Sequence, residues 1–143
     1  MYKRILVPLD GSAWAEAVLP HAQELAKCCG AELVLLRVAV VPAFVIDPVE
    51  AWATAVEEAK DYVRGQAKTL EGRGLKILAK ARWGDPAQEI LEYAHQEHID
   101  LIAMATHGRT GLKRVALGSV AEHVLRRTPT PVHLVRAPMP VEA

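Results

Sequence analysis

LIAMATHGRTGLKRVALGSVAE, residues 101–122, carries the most informative pattern in the chain. It begins with five apolar residues, continues into a segment with three glycines, and reaches Ser119 followed three positions later by Glu122, a pattern typical of a helix start. Glycine lets backbone N–H groups approach an anion closely, and a helix N-terminus carries a partial positive charge. The stretch therefore predicts a strand, a candidate phosphate-binding loop and a helix. A surface loop closed by a capping box, with Ser119 as the cap, remains the alternative.

The rest of the chain repeats this strand-to-helix order. Strands are predicted at 5–7, 32–41, 75–83, 101–105 and 131–135. Helices are predicted to start at Ser12, Asp47, Asp85 and Ser119, and the second and third of these have proline at the next position. Pro20 predicts a kink within the first helix, and Gly30 predicts its end.

Such alternation predicts an α/β fold with one doubly wound, five-stranded parallel sheet and helices on both faces. We expect a single domain over residues 1–137 and a short tail over 138–143. In open sheets of this kind, ligands bind beyond the carboxyl ends of the strands, where the winding reverses. The strand exits at 10–12, 38–42, 84–85 and 106–119 are therefore the candidate site.

Composition narrows the class of protein. The chain has 143 residues, 51% of them hydrophobic, and 17 basic residues balance 17 acidic ones. This neutrality argues against a global basic field for nucleic acid or an anionic membrane. Arg37 and Pro42 interrupt the longest apolar stretch, 33–46, so no membrane span is predicted. The two cysteines, Cys28 and Cys29, are adjacent and form neither a disulfide framework nor a spaced metal site. We expect a cytoplasmic protein.

Known phosphate-binding patterns are missing from the sequence. No glycine-lysine pair precedes Ser or Thr at the spacing of the phosphate loop, and no G-x-G-x-x-G follows the first strand. These absences argue against an ordinary NTPase and a Rossmann dehydrogenase. At the first strand exit, Asp10 is either a turn residue or a ligand group, and Ser12 is expected to cap the first helix. Arg109 or Lys113 is either a phosphate neutraliser or a solvated surface residue.

Four segments resemble the universal stress protein (UspA-like) family: ILVPLDGS at 5–12, THGRTG at 106–111, GSVAE at 118–122 and TPVHLVR at 130–136. The resemblance extends over residues 2–137. The family's nucleotide motif is G-x-x-G, nine residues, then G followed by Ser, Thr or Asn. Gly108, Gly118 and Ser119 match it, whereas Ala105 stands at the first glycine position. Ala121 stands where some ATP-binding members have a hydroxyl.

The resemblance implies an adenine nucleotide alpha hydrolase-like fold with strand order 3-2-1-4-5, and ATP as ligand with Mg²⁺ or Mn²⁺ on its phosphates. Asp10 would contact the ribose or a metal-bound water, the backbone of Val38 would contact adenine, and Arg109 is a candidate for the γ-phosphate. The complete set of implied cofactor-binding residues is Pro8, Leu9, Asp10, Val38, Met104, Ala105, Gly108, Arg109, Gly118, Ser119 and Val120.

The resemblance also implies a homodimer that pairs its final strands antiparallel, from Val132 to Val135. The function implied is that of a nucleotide-dependent regulatory module in the stress response. Two alternatives remain: a slow ATPase, for which Asp10 is the candidate base, and an interaction protein that binds no nucleotide. We predict no catalytic residues, no protein-held metal and no nucleic acid or membrane partner.

Overall fold

A five-stranded parallel sheet forms the centre of the computed structural model, which describes residues 1–42, 44–107 and 118–137. The strands are β1 (Arg4–Leu9), β2 (Glu32–Ala39), β3 (Ile77–Trp83), β4 (Leu101–His107) and β5 (Val132–Ala137). Their order across the sheet is β3-β2-β1-β4-β5, and every neighbouring pair is parallel. The fold class and strand order predicted from the sequence are confirmed.

Helices cover both faces of the sheet. They are α1 (Ala13–Glu16), α2 (Leu19–Cys29), α3 (Pro48–Thr69), α4 (Pro86–Gln96) and α5 (Ser119–Arg127). On β1, Ile5 and Val7 join the core beneath α2 and α3, whereas Leu6 joins the core beneath α4 and α5. All three side chains are fully buried, and each such burial contributes about 1.5–3 kcal/mol.

Of the helices in the described part of the chain, none has both the length and the apolar character that a membrane span requires.

Side chains start α3 and α4 as the sequence predicts. The backbone N–H of Glu50 donates to Asp47 Oδ1 at 3.2 Å, and that of Gln88 donates to Asp85 Oδ2 at 3.0 Å. Each aspartate is followed by proline at the first helical position, where an N–H is not required. These hydrogen bonds fix where α3 and α4 begin after the carboxyl ends of β2 and β3.

The first helical segment differs from the prediction. The prediction of one helix with a kink at Pro20 is wrong, because the chain forms two helices, α1 and α2, separated at Ala17 and Val18. Pro20 lies in the first turn of α2, where its missing N–H costs no intrahelical hydrogen bond. The end of α2 is as predicted: Gly30 adopts φ +65°, a left-handed conformation that glycine accepts without a Cβ clash.

Polar contacts hold the N-terminal end of β1 against its neighbours. Asp100 Oδ2 accepts hydrogen bonds from the backbone N–H groups of Lys3 at 2.8 Å and Arg4 at 2.9 Å. These bonds hold the pKa of Asp100 below its ordinary value. Arg4 also pairs with Glu32 at 3.1 Å. Burial raises the pKa of Glu32, but its bonds to Lys76 and Arg4 outweigh burial and leave that pKa below its ordinary value.

Candidate functional site

A cavity of about 440 Å³ opens at the carboxyl ends of β1, β2 and β4. Strand β1 lies between β2 and β4, so this is the position at which the winding of the sheet reverses. The structure brings nine of the eleven sequence-predicted site residues to the cavity wall: Pro8, Leu9, Asp10, Val38, Met104, Ala105, Gly118, Ser119 and Val120. The remaining two, Gly108 and Arg109, lie outside the described residues.

One wall of the cavity is apolar. Leu36, Val38, Ile90 and Met104 line it and are buried members of the core between the sheet and helices α4 and α5. Because these side chains are fixed by core packing, the wall is preformed. Such a surface suits a flat, largely apolar ring system.

Asp10 forms a tight turn at the exit of β1. Its Oδ1 accepts hydrogen bonds from the backbone N–H of Ser12 at 2.8 Å and from Ser12 Oγ at 2.5 Å. Ser12 Oγ in turn accepts from the backbone N–H of Ala15 at 3.2 Å, which confirms Ser12 as the cap of α1. The carboxylate of Asp10 is therefore a turn acceptor with a fixed orientation and also part of the cavity wall.

Helix α5 begins at the opposite side of the cavity. Its N-cap is Gly118, which has no side chain to cap the helix, and Ser119 is the first helical residue. The predicted capping box with Ser119 as the cap is therefore wrong by one position. The side chain of Ser119 is exposed and lines the cavity together with Val120 and Ala121. The first N–H groups of a helix have no intrahelical acceptor, so this end presents hydrogen-bond donors and a positive dipole end to the cavity.

Arg37 is the charged wall residue that sequence reasoning missed. It lies near the carboxyl end of β2 beside Val38, and its guanidinium carbon lies 5.0 Å from the centroid of the Tyr62 ring. The Tyr62 hydroxyl donates to Glu16 Oε2 at 2.8 Å, and burial together with this carboxylate raises the pKa of Tyr62. The position of Arg37 one residue before a predicted ligand residue was the signal available in the sequence.

Gly11 makes room for this guanidinium. It adopts φ +88°, and a Cβ added there would overlap the Arg37 side chain. The positive φ therefore favours glycine at this position, and any larger residue would also displace the guanidinium of Arg37.

Other wall residues missed by the sequence analysis are small or apolar: Ala15, Leu36, Val40, Pro86 and Ile90. They carry no polar group, and a sequence pattern does not separate them from ordinary core positions. Residues 1–42, 44–107 and 118–137 contain no group of three or more His, Cys, Asp or Glu side chains placed to hold a metal ion.

Several known proteins are similar to this chain in fold and in sequence. Universal stress protein MJ0531 of Methanocaldococcus jannaschii is 38% identical over 143 residues, which cover 96% of this chain and 84% of that protein. The solved structure of MJ0577, a universal stress protein from the same organism, is 35% identical with a TM-score of 0.80 and covers 98% of this chain and 99% of its own.

A third similar protein was solved with a nucleotide. This universal stress protein, in complex with cAMP, is 25% identical with a TM-score of 0.64, and the match covers 96% of this chain and 98% of that one. The sequence profile of the universal stress protein family matches residues 1–136. The chain therefore belongs to the universal stress protein family.

Proposed function

We propose that the chain is an ATP-binding regulatory module. The observation that carries the proposal is the cavity itself, which combines a preformed apolar wall, an oriented carboxylate and the N-terminus of α5 within about 440 Å³. Cavities that bind small molecules have volumes of roughly 300–1,000 Å³ and combine apolar walls with a few polar groups. The cAMP complex of a related protein supports an adenine nucleotide as the ligand class.

Each part of the cavity suits one part of the nucleotide. The backbone of Val38 is assigned to adenine, with Met104 and Ala105 beneath the nucleoside. Asp10 is assigned to the ribose through Oδ2, since both of its bonds to Ser12 use Oδ1. A hydroxyl that donates to a carboxylate forms one of the stronger hydrogen bonds in proteins.

The phosphates are assigned to the start of α5. Gly118, Ser119 and Val120 would supply backbone N–H groups and the serine hydroxyl, since the positive end of a helix dipole favours negative charge. Gly108 and Arg109 are proposed to join them. Mg²⁺ or Mn²⁺ is assigned to phosphate oxygens, because Mg²⁺ is commonly bound through substrate phosphates and only one or two carboxylates.

We further propose a homodimer through β5. This strand lies at one edge of the sheet, and Leu134 on it is 36% exposed. An unpaired edge strand offers free N–H and C=O groups to a second copy. Analytical ultracentrifugation is expected to show a dimer that Leu134→Glu dissociates, because the substitution would place an unpaired charge in the proposed interface. A monomeric wild type contradicts this part of the proposal. The cytoplasmic location remains a prediction.

Calorimetric titration with ATP–Mg²⁺ tests nucleotide binding. At 100 times its dissociation constant a ligand stabilises a protein by about 2.7 kcal/mol, which predicts a rise in melting temperature of roughly 5–10 °C. Neither heat nor a thermal shift at millimolar nucleotide would remove the proposal and leave the interaction-protein alternative. Mass spectrometry of small molecules released from protein isolated from cells provides an independent check.

A single-turnover assay separates binding from catalysis. Hydrolysis requires a group positioned to orient or deprotonate water and a cation that stabilises the transition state. We expect ADP formation at the background rate, with Asp10 serving as a binding group. ADP formed well above background in the wild type and lost in Asp10→Asn would favour the slow ATPase.

A further inference from the structure

An exposed apolar surface lies beyond the exit of β2, outside the nucleotide cavity. Seven large apolar side chains are exposed among the described residues, and three of them lie between residues 44 and 49, beyond the cavity-wall residue Val40. Phe44 is 87% exposed, Ile46 is fully exposed and Val49 is 80% exposed. Single exposed apolar residues are ordinary on protein surfaces, whereas a cluster marks a site of interaction.

A groove runs from this cluster along the first three turns of α3. Its volume is about 520 Å³, and it is lined by Val45, Ile46, Asp47, Glu50, Ala51, Thr54, Ala55 and Glu58. The buried residues of α3 are Ala59 and Val63, whereas none of the α3 residues that line the groove is buried. The groove is therefore open to solvent, and Ala51 and Ala55 give it a floor of small side chains. We call the groove together with Phe44 and Val49 the α3 surface.

The α3 surface is acidic. Residues 44–62 include five acidic side chains and one lysine, although the whole chain is electrically neutral. Asp47, Glu50 and Glu58 line the groove, and none of its lining residues is basic. A partner that covers the apolar residues must therefore also come close to several negative charges.

This charge discriminates between occupants. A two-fold contact between copies of the chain would place each acidic surface against itself, which like-charge repulsion opposes. An anionic membrane is repelled for the same reason. A helix with an apolar stripe flanked by Lys or Arg satisfies both features, since its stripe fits an apolar groove and its cations face the carboxylates.

We propose that the α3 surface docks a basic amphipathic helix of a partner protein. Phe44 and Ile46 bury against the apolar stripe, and Glu50 and Glu58 pair with the basic flanks. The proposal does not depend on nucleotide binding, so the protein without added nucleotide is sufficient for the test.

The test uses a fluorescent peptide of about 20 residues, built from Leu and Lys with helical spacing, and a matched peptide of Leu and Glu. Fluorescence anisotropy with the full-length protein is expected to show binding of the basic peptide and no binding of the acidic one. Raising the ionic strength from about 0.05 to about 0.5 M is expected to weaken binding, because salt screens exposed charges.

Two variants separate the contributions of charge and apolar contact. Glu50→Gln with Glu58→Gln is expected to weaken the basic peptide about fivefold, a size typical of two exposed ion pairs. Glu24→Gln with Glu71→Gln makes the same change in net charge at exposed positions elsewhere and is expected to leave affinity unchanged. Phe44→Ser with Ile46→Ser is expected to weaken binding about tenfold without lowering thermal stability, because both side chains are exposed.

Four outcomes overturn the proposal. Equal binding of both peptides would show that charge does not determine binding. An equal loss of affinity in the Glu24 and Glu71 control would show that the peptide does not bind at the α3 surface. Self-association that Phe44→Ser with Ile46→Ser abolishes assigns the surface to a second copy. Binding to phosphatidylserine vesicles that the same substitutions abolish assigns it to a membrane.

Discussion

Ser119→Asp separates the stability of the fold from the affinity of the proposed site. Ser119 is the first residue of α5, is exposed, and lines the cavity. A carboxylate in the first turn interacts favourably with the helix dipole, by about 0.3–1 kcal/mol at an exposed position. We therefore expect the free energy of unfolding to stay the same or to rise by that amount.

The effect on nucleotide affinity has the opposite sign. If a phosphate lies about 4 Å from the new carboxylate, repulsion between two unit charges is about 1 kcal/mol in bulk water and about 4 kcal/mol at an effective dielectric constant of about 20. The open cavity lies between these environments. Since about 1.4 kcal/mol is a tenfold change in affinity, we expect ATP to bind roughly 10- to 100-fold more weakly.

Calorimetric titration with ATP–Mg²⁺ and urea denaturation measure the two effects on the same protein. Ser119→Asn is the matched control, because it adds similar volume without charge, and its affinity is expected to stay within about threefold of the wild type. Wild-type affinity in Ser119→Asp would refute the placement of phosphates at α5. Unfolding of the variant would refute the description of this helix end.

Three further predictions concern the stability of the fold. Gly11→Ala and Gly72→Ala both place a side chain at positive φ, at a cost of about 1–2 kcal/mol, but only the first disturbs Arg37. Urea denaturation is expected to show that Gly11→Ala lowers the free energy of unfolding by about 0.5–1 kcal/mol more than Gly72→Ala does. Asp100→Asn is expected to lower the free energy of unfolding by about 1 kcal/mol at pH 7. Because the folded pKa of Asp100 is lowered, this loss shrinks as pH falls below about 4 and the wild type also protonates. Burial first, then Glu92, raises the pKa of Glu89 even though this residue lies in the first turn of α4, where the helix dipole favours its charge. Glu89→Gln is therefore expected to raise the free energy of unfolding by about 0.5 kcal/mol at pH 7 and by less near pH 4.

Each of these predictions has a contradicting result. Equal losses in the two glycine variants would mean that Arg37 adds nothing at the β1 exit. A loss for the Asp100 variant that persists at pH 2 would place its contribution outside the charged hydrogen bonds. A destabilised Glu89 variant at pH 7 would reverse the sign of that carboxylate's contribution.

The sheet and helix starts were predictable because they depend on local patterns. A few neighbouring residues are enough to predict each of these features. They include the β-rich runs, the helix starts at Asp47 and Asp85, each followed by proline, and the helix end at Gly30. The position of the cavity followed from the alternation of strands and helices, because the winding of such a sheet must reverse somewhere.

The remaining features depend on contacts between distant segments. The break before α2 and the position of the α5 cap at Gly118 are differences of one or two residues at helix ends. Local sequence patterns do not determine helix ends to that precision. Arg37 reads in the sequence as an interruption of an apolar strand, and only the fold places it against Tyr62 on α3. Phe44 and Ile46 belong to the longest apolar stretch of the sequence, and only the structure shows that both side chains are exposed.

A crystal structure grown with excess ATP–Mg²⁺ would show directly where the nucleotide binds. We expect a nucleotide in the cavity at the ends of β1, β2 and β4, with its base beside Val38. Its phosphates are expected within hydrogen-bond distance of the backbone N–H groups of Ser119 and Val120. A cavity filled by the protein's own side chains, or a nucleotide bound elsewhere, would contradict it.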